Sequence, residues 1–309
     1  MSLAFVFPGQ GSQSLGMLKE LAEVEPIVTD TLKLASDALG YDLWSIVQDG
    51  PIEKLNSTDI TQPALLAAGV ACWKVWQKRE GDAPALLAGH SLGEYTALVC
   101  AGVLDFTDAI KLVEERGKFM QQAVPEGQGG MAAILGLDDA TVVAACEKAV
   151  ESDVLQAVNY NSPGQVVVAG TKAAVDRVVV IAKEMGAKRA LPLPVSVPSH
   201  CDLMKPAAEQ LAEKLKLITF NEPTIPVVNN VDVLIESDAD KIRDALVRQL
   251  YNPVRWVEVI KKLSTNGVDQ LIECGPGRVL VGLNKRIEKS MSAAAIFDPA
   301  SFEKAMASE

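Results

Sequence analysis

P-A-L-L-A-G-H-S-L-G-E-Y-T-A-L-V-C-A-G, residues 84–102, is the stretch from which the fold can be predicted. Residues 85–88 are wholly apolar, as in a parallel strand that is buried on both faces, and residues 94–99 favour a helix. The pattern G-x-S-x-G lies between them, from Gly89 to Gly93, on a turn where a Cβ at either glycine would collide with neighbouring backbone. The stretch therefore predicts a strand, a sharp turn and a helix, as in an α/β protein.

The serine at the centre of this turn, Ser91, is the candidate nucleophile. The strained turn lifts its hydroxyl clear of the sheet and places it near the positive N-terminal end of the following helix. The backbone N–H of Leu92, the next residue, is then free to stabilise an oxyanion that develops during attack. We therefore expect nucleophilic chemistry at this turn rather than a chance match to the pattern.

A serine hydroxyl needs a base to remove its proton as it attacks, and histidine is the usual base near neutral pH. The chain has only two histidines, His90 and His200. The side chain of His90 points away from that of Ser91 in such a turn, which favours a packing or supporting role. Elimination thus makes His200 the general base. Cys201 beside it raises the alternative of a Cys–His pair, which is disfavoured because Cys201 lies on no comparable turn.

Two further groups of a catalytic site are not settled by these patterns. A third group should orient the imidazole of His200, but none of the 40 acidic residues is singled out. Arg116 on a predicted helix is either a solvated arginine paired with Glu114 or Glu115, or a guanidinium that binds a carboxylate in a bidentate fork. Spacing alone favours the solvated arginine.

The composition disfavours several classes of protein. The 309 residues carry a formal charge of −11, which disfavours nucleic acid and anionic membranes as partners. No apolar run approaches the roughly 20 residues that span a bilayer, and no basic region followed by a long apolar one predicts a signal peptide. The five cysteines are scattered without a C-x-x-C pair, which disfavours disulfides and a zinc site and favours a cytoplasmic location.

The chain is predicted to form two subdomains of one α/β protein. Residues 128–195 alternate between strand and helix in the order β-α-β-β-α-β, which is typical of a small ferredoxin-like unit. We predict that this unit is inserted into a large α/β-hydrolase-like catalytic subdomain with a mostly parallel sheet, formed by residues 1–127 and 196–309. Helical periodicity in residues 15–80 is expected to break at 50–51 and 61–63, and the last predicted helix covers 279–289.

A loop after the first predicted strand, residues 3–7, is expected at the edge of the large sheet. This loop, G-Q-G-S-Q at 9–13, fails as a dinucleotide-binding fingerprint because the third glycine would fall at Ser14. Its position at the carboxyl end of a strand favours a second set of backbone N–H donors to a ligand.

Taken together, these motifs resemble those of the bacterial malonyl-CoA:acyl carrier protein transacylases of fatty acid synthesis. The motifs run from end to end of the chain in family order, and none departs from the family at a catalytic position. They are F-P-G-Q-G-S-Q at 7–13, Q-P-A at 62–64, G-H-S-L-G-E at 89–94, R-G at 116–117, N-Y-N-S-P-G-Q at 159–165, V-P-S-H at 197–200 and G-P-G at 275–277.

The resemblance implies a ping-pong transfer of malonyl from malonyl-CoA to the phosphopantetheine thiol of holo acyl carrier protein, without a metal or a cofactor. It implies that Ser91 is acylated and that His200 acts as base and then as acid. It also implies that the backbone N–H groups of Gln10 and Leu92 form the oxyanion hole and that the main-chain carbonyl of Gln249 orients the histidine. Arg116 is implied to bind the malonyl carboxylate, and Gln62 is implied to line the same pocket.

Two other functions remain open. A serine hydrolase such as a thioesterase or a lipase would use the same serine and histidine and release acyl groups to water. A non-catalytic module that binds carrier proteins would use neither residue.

The carrier protein of the resembling family is acidic, as is this chain, so a local basic rim is predicted to receive it. Its candidates are Lys188, Arg189, Arg278, Lys285 and Arg286.

Overall fold

The computed structural model describes residues 2–195 and 197–307 of the chain. These residues form two β-sheets flanked by helices. Residue 196, where the second segment of the large subdomain is predicted to begin, lies outside the described residues, as do the predicted outer limits 1 and 309. The boundaries of the two subdomains therefore stay a prediction.

Strands and helices alternate along most of the chain. The strands are β1 (Leu3–Phe7), β2 (Leu86–Gly89), β3 (Gly129–Leu135), β4 (Leu155–Ser162), β5 (Gln165–Thr171), β6 (Arg189–Pro192), β7 (Val227–Val228), β8 (Gln270–Cys274) and β9 (Ser292–Ile296). The helices are α1 (Lys19–Val24), α2 (Pro26–Leu39), α3 (Leu43–Asp49), α4 (Ile52–Leu55), α5 (Thr58–Lys78), α6 (Gly93–Cys100), α7 (Phe106–Ala123), α8 (Asp139–Val150), α9 (Lys172–Glu184), α10 (Lys205–Leu215), α11 (Ala239–Gln249), α12 (Trp256–Thr265), α13 (Val279–Ile287) and α14 (Pro299–Met306). Among the described residues, no helix has the length and apolar character needed to cross a membrane.

The larger sheet contains five parallel strands in the order β7-β2-β1-β8-β9. β1 and β2 are buried along their whole length because the core packs against both faces of the sheet, which explains their continuous apolar sequences. They lie side by side, with Phe7 opposite Gly89. The loop after β1 and the serine turn after β2 therefore meet at one edge of the sheet.

The smaller sheet contains four antiparallel strands in the order β4-β5-β3-β6, and α8 and α9 pack on one of its faces. This strand order and these connections are those of a ferredoxin-like unit. Beside β4 the smaller sheet bonds to the segment between α11 and α12, since the backbone N–H of Tyr160 donates to the carbonyl of Val254 at 3.0 Å. The predicted α/β class, with a parallel sheet and a small antiparallel sheet, is confirmed.

Two predictions about helices are wrong. No break occurs at 61–63, because α5 continues through Pro63. The proline removes the hydrogen bond that an N–H would donate to the carbonyl four residues earlier, and its ring crowds that carbonyl, but the burial of most of α5 outweighs both costs. The helix at 279–289 is also not the last one, because α14 follows it and begins with a capping box formed by Asp298 and Ser301.

The turn between β2 and α6 requires glycine at both ends. A Cβ on Gly89 would lie 1.9 Å from the carbonyl carbon of Gly93, and a Cβ on Gly93 would lie 2.0 Å from the carbonyl oxygen of Phe7. Between them Ser91 has a φ of 52°, in the left-handed region that residues with a side chain rarely adopt. Close packing against β1 therefore holds the serine in a strained conformation.

We expect Gly93→Ala to destabilise the protein by about 3 kcal/mol, because the added methyl group would overlap the backbone of Phe7. Gly282→Ala is the matched control: Gly282 lies inside α13, and a Cβ there meets no other segment within 4 Å. That change should stabilise the protein by about 0.5–1 kcal/mol. Urea unfolding followed by circular dichroism measures both effects, and two variants of equal stability would contradict this account of the turn.

Candidate active site

A small cavity of about 110 Å³ lies between the two sheets, next to the loops that follow β1 and β2. Residues from both sheets line it. Its walls include the predicted site residues Gln10, Gln62, Ser91, Leu92, Arg116 and His200, together with Met131 and Asn159 from the smaller sheet. Gln249, the remaining predicted residue, contacts His200 and Arg116 from behind the wall.

Ser91 and His200 form a hydrogen-bonded pair although 109 residues separate them in the sequence. The Oγ of Ser91 lies 2.8 Å from Nε2 of His200, and Nδ1 of His200 lies 2.7 Å from the carbonyl oxygen of Gln249. A carbonyl oxygen can only accept, so Nδ1 carries the proton and Nε2 offers its lone pair to the serine hydroxyl. A main-chain carbonyl thus orients the imidazole as a base.

Burial keeps the imidazole of His200 neutral. The residue is 2 % exposed, and its pKa is lowered to about 3, first by the loss of solvation and second by the positive charge of Arg116. The hydrogen bond to the Gln249 carbonyl opposes this shift. The free site therefore contains a base that is unprotonated at neutral pH.

The guanidinium of Arg116 is buried against the same cavity and is held by neutral groups. Its Nη1 donates to Oε1 of Gln62 at 2.7 Å, and its Nη2 donates to Oε1 of Gln249 at 3.0 Å. Its Nε has no hydrogen-bond partner among the described residues, and its Cζ lies 5.2 Å from the centroid of the Tyr95 ring. A guanidinium has five N–H donors, so several remain for an anion that enters the cavity.

The solvated arginine that spacing alone favours is not what the structure shows. Arg116 is 1 % exposed, and its two acidic neighbours on α7 form other ion pairs. Glu114 pairs with Lys118 at 2.8 Å, and Glu115 pairs with Lys214 at 2.7 Å. Within residues 2–195 and 197–307, no carboxylate forms an ion pair with Arg116.

Gln10 and Leu92 lie on the two loops that meet beside the serine. Leu92 is the N-cap residue of α6, so its N–H lies at the positive end of that helix. The loop that contains Gln10 packs on the serine turn, since a Cβ on Gly9 would lie 2.5 Å from the carbonyl oxygen of His90. This arrangement can direct two backbone N–H groups at the oxygen of a carbonyl under attack.

The second histidine and the cysteine beside His200 make other contacts. Nε2 of His90 lies 2.8 Å from Oδ1 of Asn161 on the smaller sheet, and its ring packs against Trp256. Cys201 is buried, its thiol donates to the carbonyl of Pro198 at 3.1 Å, and burial raises its pKa to about 12. A thiol that stays protonated is a poor nucleophile, which disfavours the Cys–His alternative.

The sequence motifs do not predict the residues that support the serine turn. The backbone N–H of Ser91 donates to Oδ1 of Asn230 at 2.7 Å, and Nδ2 of Asn230 donates to the carbonyl of Gly89 at 2.7 Å. Glu94 accepts from the backbone N–H of Asn230 at 2.9 Å. One sequence feature could have indicated this support: Asn230 is a polar residue just beyond β7, and β7 neighbours β2 in the parallel sheet, where Asn230 is buried.

The fold and the site together define an acyltransferase. A serine on a strained turn faces a neutral histidine, and the cavity beside them has a helix N-terminus on one wall and a cation on another. A model of the family described as acyl transferase domain matches residues 4–297, which is nearly the whole chain.

Known relatives narrow this class. The chain is 63% identical to the malonyl CoA-acyl carrier protein transacylase of Salmonella typhimurium over 98% of both chains. A solved structure of an acyl carrier protein S-malonyltransferase from Vibrio cholerae has a TM-score of 0.96 at 61% identity and covers 99% of this chain and 100% of its own. A malonyl-transacylase solved in complex with its type II PKS acyl-carrier protein has a TM-score of 0.99 at 60% identity, with 100% of both chains covered.

The chain belongs to the family of malonyl CoA-acyl carrier protein transacylases. The resemblance stated from the sequence motifs is thereby confirmed.

We expect the reaction of Ser91 with phenylmethylsulfonyl fluoride to keep its rate from about pH 8 to about pH 5, because His200 stays unprotonated over this range. Arg116→Ala should raise the pKa of His200, since the variant removes a positive charge and admits water. Its rate should therefore begin to fall at a higher pH than that of the native protein. A fall near pH 6.5 in both proteins would contradict the effects of burial and charge described above.

Proposed function

We propose that this protein transfers the malonyl group of malonyl-CoA to the phosphopantetheine thiol of acyl carrier protein, through a malonyl ester on Ser91. The observation that carries the proposal is the buried guanidinium of Arg116, which pairs with no carboxylate of the described residues and lies in the same cavity as the Ser91–His200 pair. A substrate that ends in a carboxylate supplies the missing anion. The relatives' names agree with this acyl group and this acceptor.

In the first half-reaction, Oγ of Ser91 attacks the thioester carbonyl of malonyl-CoA while Nε2 of His200 takes the hydroxyl proton. Backbone N–H groups of Gln10 and Leu92 stabilise the resulting oxyanion. Collapse of this intermediate breaks the C–S bond, and His200 returns the proton to the departing sulfur. Coenzyme A leaves as a thiol, and Ser91 retains the malonyl group as an ester.

The second half-reaction reverses these steps with a different thiol. His200 takes the proton of the phosphopantetheine thiol of the carrier protein, and the sulfur attacks the ester carbonyl of malonyl-Ser91. The C–O bond of the ester then breaks, and the proton returns to Oγ. Because one thioester replaces another, the reaction is nearly isoenergetic, and no cofactor or metal is needed in this scheme.

Arg116 selects the acyl group and also affects the base. A malonyl carboxylate can form a bidentate pair with the guanidinium, whereas an acetyl group would leave the buried cation unpaired. Sites built around a polar partner reject analogues that lack it by up to ~10⁴-fold. Since the charge of Arg116 disfavours a protonated His200, a bound carboxylate cancels part of that repulsion and makes the imidazole a stronger base.

A hydrolase acting on neutral esters is the second candidate, and the site does not favour it. Such an enzyme would place an unpaired cation against an acyl chain that cannot pair with it. It would also be expected to orient its histidine with a carboxylate, whereas the partner of Nδ1 in His200 is the carbonyl of Gln249. The remaining alternative is a module that only binds carrier proteins. Such a module would not require the hydrogen-bonded Ser91–His200 pair.

The carrier protein is proposed to dock on the predicted basic rim. Lys188, Arg189, Arg278, Lys285 and Arg286 are all exposed, and none of them forms an ion pair within the described part of the chain. Three of them lie around the turn between β4 and β5. The Nη1 of Arg286 donates to Gln165 at 2.8 Å, and the side chain of Lys188 packs beside Gly136, whose N–H bonds to the carbonyl of Gly164. Arg189 pairs with the end of β3.

A cytoplasmic location completes the proposal. All five cysteines of the chain lie in the described residues and are free thiols, as expected in a reducing compartment.

We expect the intact protein, mixed briefly with malonyl-CoA and quenched with acid, to gain the mass of one malonyl group. Ser91→Ala should gain none, because it lacks the nucleophile. Arg116→Ala should lose malonyl transfer by at least ~100-fold while acetyl transfer is kept or raised, because the variant removes the carboxylate partner. Mass spectrometry of the quenched proteins measures all three. Failure of the native protein to be labelled, or equal losses for both acyl groups in Arg116→Ala, would reject the proposed function.

We expect Lys188→Glu and Arg286→Glu to raise KM for holo acyl carrier protein by ~3–10-fold each, because each replaces a cation that faces an acidic partner. Their KM for malonyl-CoA should stay nearly unchanged. Lys33→Glu, an exposed site on α2, is the control and should alter neither constant. Steady-state kinetics with each substrate varied in turn decides the point, and equal effects on both substrates would reject this docking surface.

A further inference from the structure

A buried carboxylate, Glu94, lies behind the cavity and has no role in the scheme above. It is on the first turn of α6 and is 2 % exposed. Its Oε2 accepts from Nε2 of Gln249 at 2.8 Å and from the backbone N–H of Asn230 at 2.9 Å. Among the described residues, those that line the cavity do not include Glu94. Any influence of Glu94 on the acyl group therefore passes through another residue.

The side-chain amide of Gln249 connects Glu94 to Arg116. Its Nε2 donates to Glu94 and, at 3.1 Å, to the carbonyl of Ser91, while its Oε1 accepts from Nη2 of Arg116. A carboxylate and a carbonyl can only accept, whereas a guanidinium can only donate. The opposite orientation of the amide would therefore lose all three bonds. Glu94 leaves this amide one possible orientation.

Two amide oxygens then determine the position of the guanidinium of Arg116. One belongs to Gln62 on α5, and the other belongs to Gln249 at the end of α11. We propose that Glu94 is a positioning residue that orients the amide of Gln249, and through it Arg116, and thereby sets the preference for acyl groups that carry a carboxylate. This inference rests on the proposed malonyl transfer.

The indirect contact has a consequence for charge. A carboxylate paired directly with Arg116 would compete with the malonyl carboxylate for the same donors. Through the intervening amide, Glu94 orders the cation but leaves its remaining donors open. Burial raises the pKa of Glu94 to about 7, against the opposing effects of its hydrogen bonds and of Arg116. A neutral carboxyl group still accepts through its carbonyl oxygen, so the positioning role persists in either protonation state.

A purely structural role for Glu94 predicts a different result. Glu94 also bonds the backbone of Asn230, whose side chain supports the serine turn. If support of this turn were its only role, loss of Glu94 would slow every acyl transfer by the same factor. The ratio of malonyl to acetyl transfer therefore separates the two roles, because only a displaced Arg116 penalises malonyl selectively.

The test compares acylation of Ser91 by malonyl-CoA and by acetyl-CoA, in single-turnover reactions followed by mass spectrometry of the intact protein. Glu94→Met fills the same volume without a strong acceptor, and Glu94→Asp keeps the charge but withdraws it from Gln249. Both should lower the malonyl-to-acetyl rate ratio by ~10–100-fold, as expected for a displaced binding group. Glu94→Gln keeps an acceptor oxygen in place and should retain the native ratio within about threefold.

Glu273→Ala is the matched control. Glu273 is another buried carboxylate, near the end of β8 in the larger sheet, and its Oε2 accepts from the backbone N–H of Val281 at 2.9 Å. This variant should leave the acyl ratio unchanged even if it is less stable. Should Glu94→Met fail to fold, Glu94→Asp and Glu94→Gln still give the two opposite expected results.

The outcomes separate this inference from the function on which it rests. A native protein that malonyl-CoA does not acylate removes the proposed function itself, and the inference with it. A native protein that is acylated, with Glu94 variants that slow both acyl groups equally, rejects the positioning role alone. Loss of selectivity in Glu94→Gln also rejects it, because the acceptor oxygen would then not be what matters.

Discussion

The site depends on how a buried positive charge is held without being neutralised. The guanidinium of Arg116 is out of contact with solvent, where an isolated charge is costly unless its donors are bonded. Amide oxygens from Gln62 and Gln249 bond two of its five N–H donors without cancelling the charge. The cavity therefore keeps an attraction for anions, and in the proposed function the carboxylate of the substrate supplies the missing partner of Arg116.

Gln249 joins the two functions of the site in one residue. Its main-chain carbonyl orients His200, while its side-chain amide positions Arg116. A main-chain carbonyl stabilises a protonated imidazole less than a carboxylate would, and the nearby guanidinium opposes protonation as well. In the proposed function, a bound substrate carboxylate would therefore raise the pKa of His200, which links recognition of the acyl group to the proton transfer that follows.

The location of the cavity between two sheets suits a reaction that uses two thiols in turn. The parallel sheet provides the rigid turn that holds Ser91, and Asn230 satisfies the backbone N–H of this strained serine. The smaller sheet closes the opposite wall with Met131 and Asn159. A narrow cavity of this kind limits the access of water to an acyl ester, while an open side remains for a long thiol-bearing arm.

Elements whose signals are local can be predicted from the amino-acid sequence alone. The apolar strand, the two glycines and the helix around Ser91 are predictable because a tight turn allows so few residue types, and the scarcity of histidine pointed to His200. Local patterns gave a wrong helix boundary where tertiary packing determines the structure. An example is α5, which continues through Pro63 because most of the helix is buried.

Tertiary packing alone sets the partners of Arg116, among them the side-chain amide of Gln249, and the support from Asn230. These contacts join residues that are 54 to 139 positions apart in the sequence. The periodicity of helices and strands does not indicate which buried polar groups contact one another. The local sequence pattern around an arginine on a helix is the same whether its side chain faces water or a cavity. The difference lies in what the other helices bring against it, and that is set by the packing of the whole core.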